Sequence, residues 1–263
     1  KCNPYVNTIY TTKWRFPLWQ AIKARRRKYD LVMQLNTSFL TNLLIFVCGG
    51  CRLGWDYKHR GILLNHRIRT KYQTARSGNR IRENLNLLER AFGWEIKNDY
   101  MVWPKRYLGG GDYTVLHVSP AKDYDKRRWD KFDQLADALG GKIVFTGCEE
   151  DYDYIRGIQR KMKNESINLA GAFGVETLSA YLANAKLLIT VNTFTMHLGA
   201  VLGVPTVAII GGTPADVVAM KDNPKFKYVE DPGLAQYDPA TTKYSVRINE
   251  ITVDQVMEKI REL

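Results

Sequence analysis

Residues 187–212 read "LLITVNTFTMHLGAVLGVPTVAIIGG". The two apolar runs, "LLITV" and "TVAII", are of strand length, and "TMHLGAVLG" between them reads as a helix that stops at Gly203. A strand, a helix and a second strand joined by short connections is the unit from which helix-covered parallel sheets are built. The polar break between the first strand and the helix carries the chemistry. Asn192 or Thr193 is placed to cap the helix, whose first N–H groups and dipole then face the crevice at the strand ends, where an anion fits.

The same alternation extends back to residue 114. Strands "TVLHV", "KIVFTG" and "SINLAG" alternate with helices "RWDKFDQLADALGG", "YDYIRGIQRKM" and "VETLSAYLANA". In the first of these helices Phe132, Leu135, Ala136 and Leu139 follow the i, i+3, i+4, i+7 spacing of a buried face. Further upstream, "YDLVMQL" reads as a buried strand, "SFLTNLLIFV" as a helix and "RIRENLNLLERAFG" as an amphipathic helix ending at Gly93. Pro104 and the run Gly109–Gly111 in "MVWPKRYLGGGDYT" mark a linker. The expectation is an α/β protein of two Rossmann-like domains with parallel sheets, residues 1–108 and 109–263.

With 263 residues, 45% hydrophobic and 25% charged, the chain has the composition of a globular protein. No window reaches the roughly 18 apolar residues of a membrane span. "FLTNLLIFVCGG" is broken by Thr41 and Asn42 and fits a core helix. "KCNPYVNTIYTTKWRF" lacks an initiator Met, an apolar core and a cleavage site, so no signal peptide is expected. Four unevenly spaced cysteines do not form a secreted disulfide framework, and a cytoplasmic location follows as the expectation. "CGGC" (Cys48–Cys51) has the spacing of half a zinc or redox site, but no second pair follows; structural thiols and no metal are expected.

The net charge of +12 is unevenly shared. Residues 1–110 hold 21 Lys or Arg against 6 Asp or Glu, and residues 111–263 hold 18 against 21, so the two parts carry +15 and −3. The first part therefore suits an anionic partner, whether phosphate-bearing lipid, membrane surface or nucleic acid. The basic run "KARRRK" (Lys23–Lys28) alone reads as a solvated face.

Polar residues gather where the strands of the second part end. Ser119, Lys126 and Arg127 follow the first strand, Thr146, Glu149, Glu150 and Asp151 the second, Asn192, Thr193 and His197 the strand at 187–191, and Gly211, Gly212 and Thr213 the last. Cations and helix N–H groups suit a diphosphate, while a carboxylate such as Glu149 suits ribose hydroxyls, so a nucleotide-sugar is the expected ligand. His197 is equally readable as a core histidine, and Glu149–Asp151 as an acidic helix start. Neither GxGxxG nor GxxxxGK[ST] occurs at the first strand–helix turn, which argues against a nicotinamide enzyme or a P-loop NTPase.

At these residues the chain resembles glycosyltransferase family 9, the bacterial transferases that include the ADP-heptose:lipopolysaccharide core heptosyltransferases. "RRW", "TGCEED", "NLAG", "NTFTMHL", "GVPT" and "GGT" occur in the family's order, and "NPYVNTIY", "YDLVMQLNTS", "RLGWDYKHRGILLNHRI" and "ENLNLLERAFG" resemble its N-terminal domain from the middle onward. The resemblance implies a GT-B fold with an incomplete first domain, an inverting, metal-independent sugar transfer, and no cofactor. It implies a nucleotide-diphosphate sugar donor, ADP-heptose first, bound by Ser119, Lys126, Arg127, Glu149, Asn192, Thr193, His197 and Thr213. An anionic, lipid-linked saccharide acceptor would meet Lys58, Arg60 and Arg67, with peripheral contact at the inner face of the inner membrane and no nucleic acid. A nucleotide-sugar epimerase and a non-catalytic polyanion-binding module are the alternatives.

Two positions depart from the family's D-[ST]-G-x-x-H-L pattern: Asn192 stands for the Asp and Phe194 for the Gly. The family's catalytic Asp, in a Gly-Asp turn after its first strand, would lie upstream of Lys1. No catalytic residue is assigned, and the expectation is that the chain as it stands does not catalyse sugar transfer even if it binds the donor; Asp56 and Asp112 are the carboxylates to examine otherwise.

Overall fold

A strand that is hydrophobic along its whole length has no face for solvent, so it must run inside a sheet covered on both sides. Leu187–Val191 and Thr206–Ile210 are such strands: every residue of both is buried, and the two pair in parallel. In the computed structural model, residues 29–35, 39–48, 50–70, 80–96, 110–118, 128–238, 241 and 243–263 are described. The chain divides into two compact units, Lys1–Lys97 and Asn98–Leu263. The run Lys23–Lys28 and the expected boundary at 108/109 lie outside the described residues.

In the first unit, β1 (Leu31–Gln34), β2 (Cys51–Tyr57) and β3 (His66–Thr70) form a parallel sheet in that order. Helix α1 (Phe39–Cys48) follows β1, and α2 (Arg80–Phe92) follows β3. Leu53 and Trp55 of β2 pack with Leu87 of α2, joined by Met33 and Ile68. Strands β2 and β3 were passed over at the level of sequence because Arg52, Asp56, Arg67 and Arg69 interrupt them, leaving too few apolar residues to show a period.

The second unit holds β4 (Thr114–His117), α3 (Phe132–Leu139), β5 (Ile143–Thr146), α4 (Tyr152–Gln159), β6 (Ser166–Asn168), α5 (Val175–Asn184), β7 (Leu187–Val191), α6 (Phe194–Leu202), β8 (Thr206–Ile210), α7 (Ala215–Val218), β9 (Phe226–Glu230) and α8 (Val253–Arg261). The six strands are all parallel, in the order β6-β5-β4-β7-β8-β9. This is a doubly wound sheet whose order reverses between β4 and β7.

Two cores separate the faces. Leu116, Phe145, Ile189 and Ile209 pack beneath α3, α4 and α8, while Val115 and Leu188 pack with Leu182 of α5 and Leu202 of α6. Helix α8 was also passed over, although its capping box was there to read: Thr252 Oγ1 accepts from Gln255 N, and Gln255 Oε1 from Thr252 N.

Helix α6 is seated tightly. Its C-terminus closes in a Schellman motif, with Gly203 at φ 73, Gly203 N donating to Ala200 O and Val204 N to Gly199 O. On the sheet side Gly199 leaves no space: a Cβ there would lie 2.3 Å from Leu188 Cδ2. Gly199→Ala therefore displaces the buried Leu188 side chain and crowds Thr206 Oγ1, and urea denaturation is expected to show a loss of about 1–3 kcal/mol; unchanged stability would show that the contact is soft.

Candidate functional site

In an open parallel sheet, the helix after each strand must leave toward one face, and where strand order reverses the two helices leave toward opposite faces and open a crevice. Here the reversal lies between β4 and β7, so the crevice stands above His117–Val118 on one side and Asn192–Thr193 on the other. Glu149 follows β5 and Thr213 follows β8, so Glu149, Asn192, Thr193, His197 and Thr213 all stand beyond the C-terminal edge of one sheet. Ser119, Lys126 and Arg127 lie outside the described residues.

Thr193 is the N-cap of α6, in extended conformation at φ −139 and ψ 179. Its hydroxyl does not cap the helix, and Oγ1 is buried with no hydrogen-bond partner. Leaving such a group unpaired costs about 1–3 kcal/mol, which a bound acceptor oxygen would recover. Asn192 is 5% exposed, and its Nδ2 donates weakly to Gly211 O at 3.4 Å, tying the crevice wall to the loop after β8. The side chain that replaces the family glycine behaves differently: Phe194, the first residue of α6, is 58% exposed. His197, one turn into α6, is half-buried.

The loop after β8 is already tied down by the protein's own groups. Gly212 N donates to the Tyr244 hydroxyl at 2.8 Å, and Ala215 N, in the first turn of α7, donates to Glu230 Oε1 at 2.6 Å. Gly212 N is thus occupied by a hydroxyl, and a carboxylate stands at the start of α7. After β5, Asp151 Oδ2 accepts from Cys148 N at 2.8 Å, and Glu149 packs on Gly171, whose added Cβ would lie 2.9 Å from Glu149 Cα. The acidic turn is held by the "NLAG" segment.

One buried group went unread in the sequence. His117, the last residue of β4, is 8% exposed, and its Nδ1 lies 3.0 Å from Thr146 Oγ1 on β5. Burial pushes its pKa down to about 4, partly opposed by the Asp151 carboxylate, so the ring is neutral near pH 7. The signal was a histidine next to the end of the mostly apolar run "TVLHV" at the sheet's reversal point.

Asp112 precedes β4 and stands at the opposite, N-terminal edge of the sheet. It lines a cavity of about 340 Å³ with Asn184, Lys186, Pro205 and Lys225. Helices α5 and α6 end there, and Lys225 Nζ donates to Gly203 O at 3.3 Å, as cations do at helix C-termini. In the first unit Asp56 is 5% exposed and accepts from Gly61 N at 2.9 Å, holding the turn that follows β2. Neither carboxylate is free at a strand-end crevice. Lys58 and Arg60 in that turn lie over the Tyr57 ring at 5.3 and 6.0 Å. Arg67 is exposed on β3, opposite Gly54, roughly 10 Å back along the sheet from Tyr57. Among the described residues, no cluster of three His, Cys, Asp or Glu side chains could hold a metal ion, and no helix is long and apolar enough to cross a membrane.

Residues 15–225 match glycosyltransferase family 9 (heptosyltransferase). Among solved structures, the chain is similar to a family 9 glycosyltransferase from Veillonella parvula, with a TM-score of 0.76 and 18% identity over 95% of this chain and 79% of that one. It is also similar to E. coli heptosyltransferase WaaC with ADP, with a TM-score of 0.72 and 17% identity over 95% and 79% of the two chains. For E. coli ADP-heptose LPS heptosyltransferase II the TM-score is 0.69 at 21% identity, over 92% and 78%. None of the curated proteins matches the chain. The fold is the α/β fold of the GT-B heptosyltransferases.

The histidine sets a pH dependence of stability. Its folded pKa lies below the unfolded value of 6.5, so the unfolded chain takes up the proton first. The native state is fully favoured above about pH 6.5 and loses stability as pH falls toward 4, by at most about 3 kcal/mol. Denaturation of wild type and His117→Gln between pH 7 and 4 should show that slope in the first and its reduction in the second. Parallel curves would remove His117 as the cause.

Proposed function

The chain belongs to glycosyltransferase family 9, and we propose that it binds the nucleoside-diphosphate donor for transfer of a sugar, heptose in the first instance, to a hydroxyl of an anionic lipopolysaccharide-core acceptor, without turning the donor over by itself. The observation that carries this reading is the N-terminus of α6 at the reversal point of the sheet, with the Thr193 hydroxyl buried and unpaired beside it. The names of the E. coli relatives, one with ADP and one acting with ADP-heptose, favour an adenine nucleotide.

In this reading the donor diphosphate lies against the first N–H groups of α6 and Thr193 Oγ1. Lys126 and Arg127 supply positive charge, and Glu149 faces the ribose hydroxyls. In the transfer itself a base, a role for which neither Asp56 nor Asp112 is placed, removes the proton from the acceptor hydroxyl, whose oxygen attacks the anomeric carbon from the side opposite the diphosphate. The bond from that carbon to the diphosphate oxygen breaks, so the configuration inverts. Negative charge grows on the departing diphosphate, where fixed N–H dipoles and cations need no reorganisation to meet it. Asn192 contributes a neutral amide and leaves the phosphates unopposed by a carboxylate at that position. The acceptor, with its phosphates, meets the basic first unit through Lys58 and Arg60, with Arg67 further back, and the charge of +15 over residues 1–110 favours contact with an anionic membrane surface.

Isothermal titration with ADP tests the donor site. Wild type should bind ADP in preference to UDP, Thr193→Val should weaken binding about 3- to 10-fold, and Arg127→Ala about 10-fold or more. No binding of ADP by the folded wild type would sink the reading.

Lys58→Glu with Arg60→Glu should reduce binding to vesicles carrying phosphorylated lipopolysaccharide core while leaving the ADP affinity unchanged. Arg67→Glu should do less. Equal loss of lipid and nucleotide binding would remove the acceptor assignment.

A further inference from the structure

Thr146, His117 and Thr190 stand side by side on β5, β4 and β7, in direct register, and all three are buried. Residues in register on parallel strands share a face, and alternation places His117 on the same face as Val115. Val115 packs with Leu188, Leu182 of α5 and Leu202 of α6, so His117 lies on the side of the sheet that α5 and α6 cover. Both helices run antiparallel to the strands and begin at the C-terminal edge, at Val175 and Phe194. His117 is therefore the last side chain of β4 beneath the crevice.

The ring is paired on one side only. Thr190 Oγ1 donates to Val191 O at 2.9 Å and is not turned to the imidazole, whereas Thr146 Oγ1 meets Nδ1. Nε2 makes no hydrogen bond among the described residues. Thr193 Oγ1, three residues beyond Thr190, is likewise unpaired. Two polar groups without partners thus arise from the ends of the two strands between which the sheet reverses.

We propose that His117 is a binding residue of the nucleotide site, with the Thr146 hydroxyl donating to Nδ1 and fixing the tautomer in which Nε2–H is offered to a phosphate oxygen. This rests on the nucleotide reading above and adds to it a group, a tautomer and a role for Thr146. A ring that stays neutral to about pH 4 donates without bringing a full charge that would have to be desolvated. Its placement by a hydrogen bond from a neighbouring strand removes the freedom to turn away.

The proposal separates the two ring nitrogens, and so does its test. In histidine-labelled protein, nitrogen NMR should show the Nε2–H tautomer, and titration with ADP should move the Nε2 resonance with little change at Nδ1. By calorimetry His117→Gln, whose amide reaches the Nε2 position, should keep ADP affinity within about 3-fold, while His117→Asn, which reaches only the Nδ1 position, should lose about 10-fold. The same loss should appear with inorganic pyrophosphate and not with adenosine. Failure of wild type to bind ADP would overturn the nucleotide reading and this inference with it. Binding of ADP with Nε2 unmoved, an Nδ1–H tautomer, equal losses in the Gln and Asn variants, or a loss seen with adenosine alone would overturn this inference and leave the nucleotide reading standing.

Discussion

Strand β7 is hydrogen-bonded to β4 on one side and β8 on the other, with all five of its residues buried. Its pairing with β4 is the one junction at which chain order reverses, and the rest of the second unit is arranged around it. Helix α3, which follows β4, is pinned to one face through Phe132 and Leu135, and α6, which follows β7, lies on the other through Leu202. The crevice between them needs no side chain to hold it open. It exists because two right-handed crossovers of opposite direction cannot cover the same strand ends.

Deep polar groups such as Asp231 and Trp129 are satisfied: Asp231 accepts from Gly233 N and Arg247 N, and Trp129 Nε1 donates to Ile251 O. Thr193 Oγ1 at the crevice is buried without a partner, as are Trp55 Nε1 in the first unit and Asn184 Oδ1 at the opposite edge of the second unit's sheet, while His117 is paired through Nδ1. The first unit stores cost differently: Lys58 and His59 both hold positive φ, at 49 and 59, a conformation that costs a non-glycine residue about 1–2 kcal/mol. The buried Asp56 carboxylate, fixed to Gly61 N, holds that turn in place.

Much of this was legible in the sequence, and what was not has identifiable reasons. The runs at 114–118, 187–191 and 206–210 announced themselves because a doubly covered parallel strand is mostly apolar, and Gly203 marked the end of α6 as an αL position should. Strand β3, "HRIRT", could not be seen, since only Ile68 faces a core and the exposed arginines read as a loop. Strand β9 was hidden likewise: only Phe226 is fully buried, and Lys227 and Glu230 break the apolar run. The start of α6 at Thr193 was legible because a helix N-terminus carries a local signal, although the Thr193 hydroxyl makes no capping bond. His117 was not, because its meaning comes from Thr146, which is 29 residues away and adjacent only after the sheet has formed.

Trp129 Nε1 bonds to Ile251 O, and Trp129, Ile251 and Val256 share one core with Leu116 and Phe145. That packing links opposite ends of the second unit in time as well as in space. At ~5–20 residues per second, synthesis of the stretch from Trp129 to Val256 takes about 6–25 s. Over that interval β4, β5 and α3 have left the ribosome while the helix that covers part of their apolar face has yet to be made. The nascent chain must spend those seconds with Leu116 and Phe145 only partly sheltered and the edges of its sheet unpaired. For such a topology, speed of elongation and access to chaperones weigh on yield independently of how stable the finished molecule is.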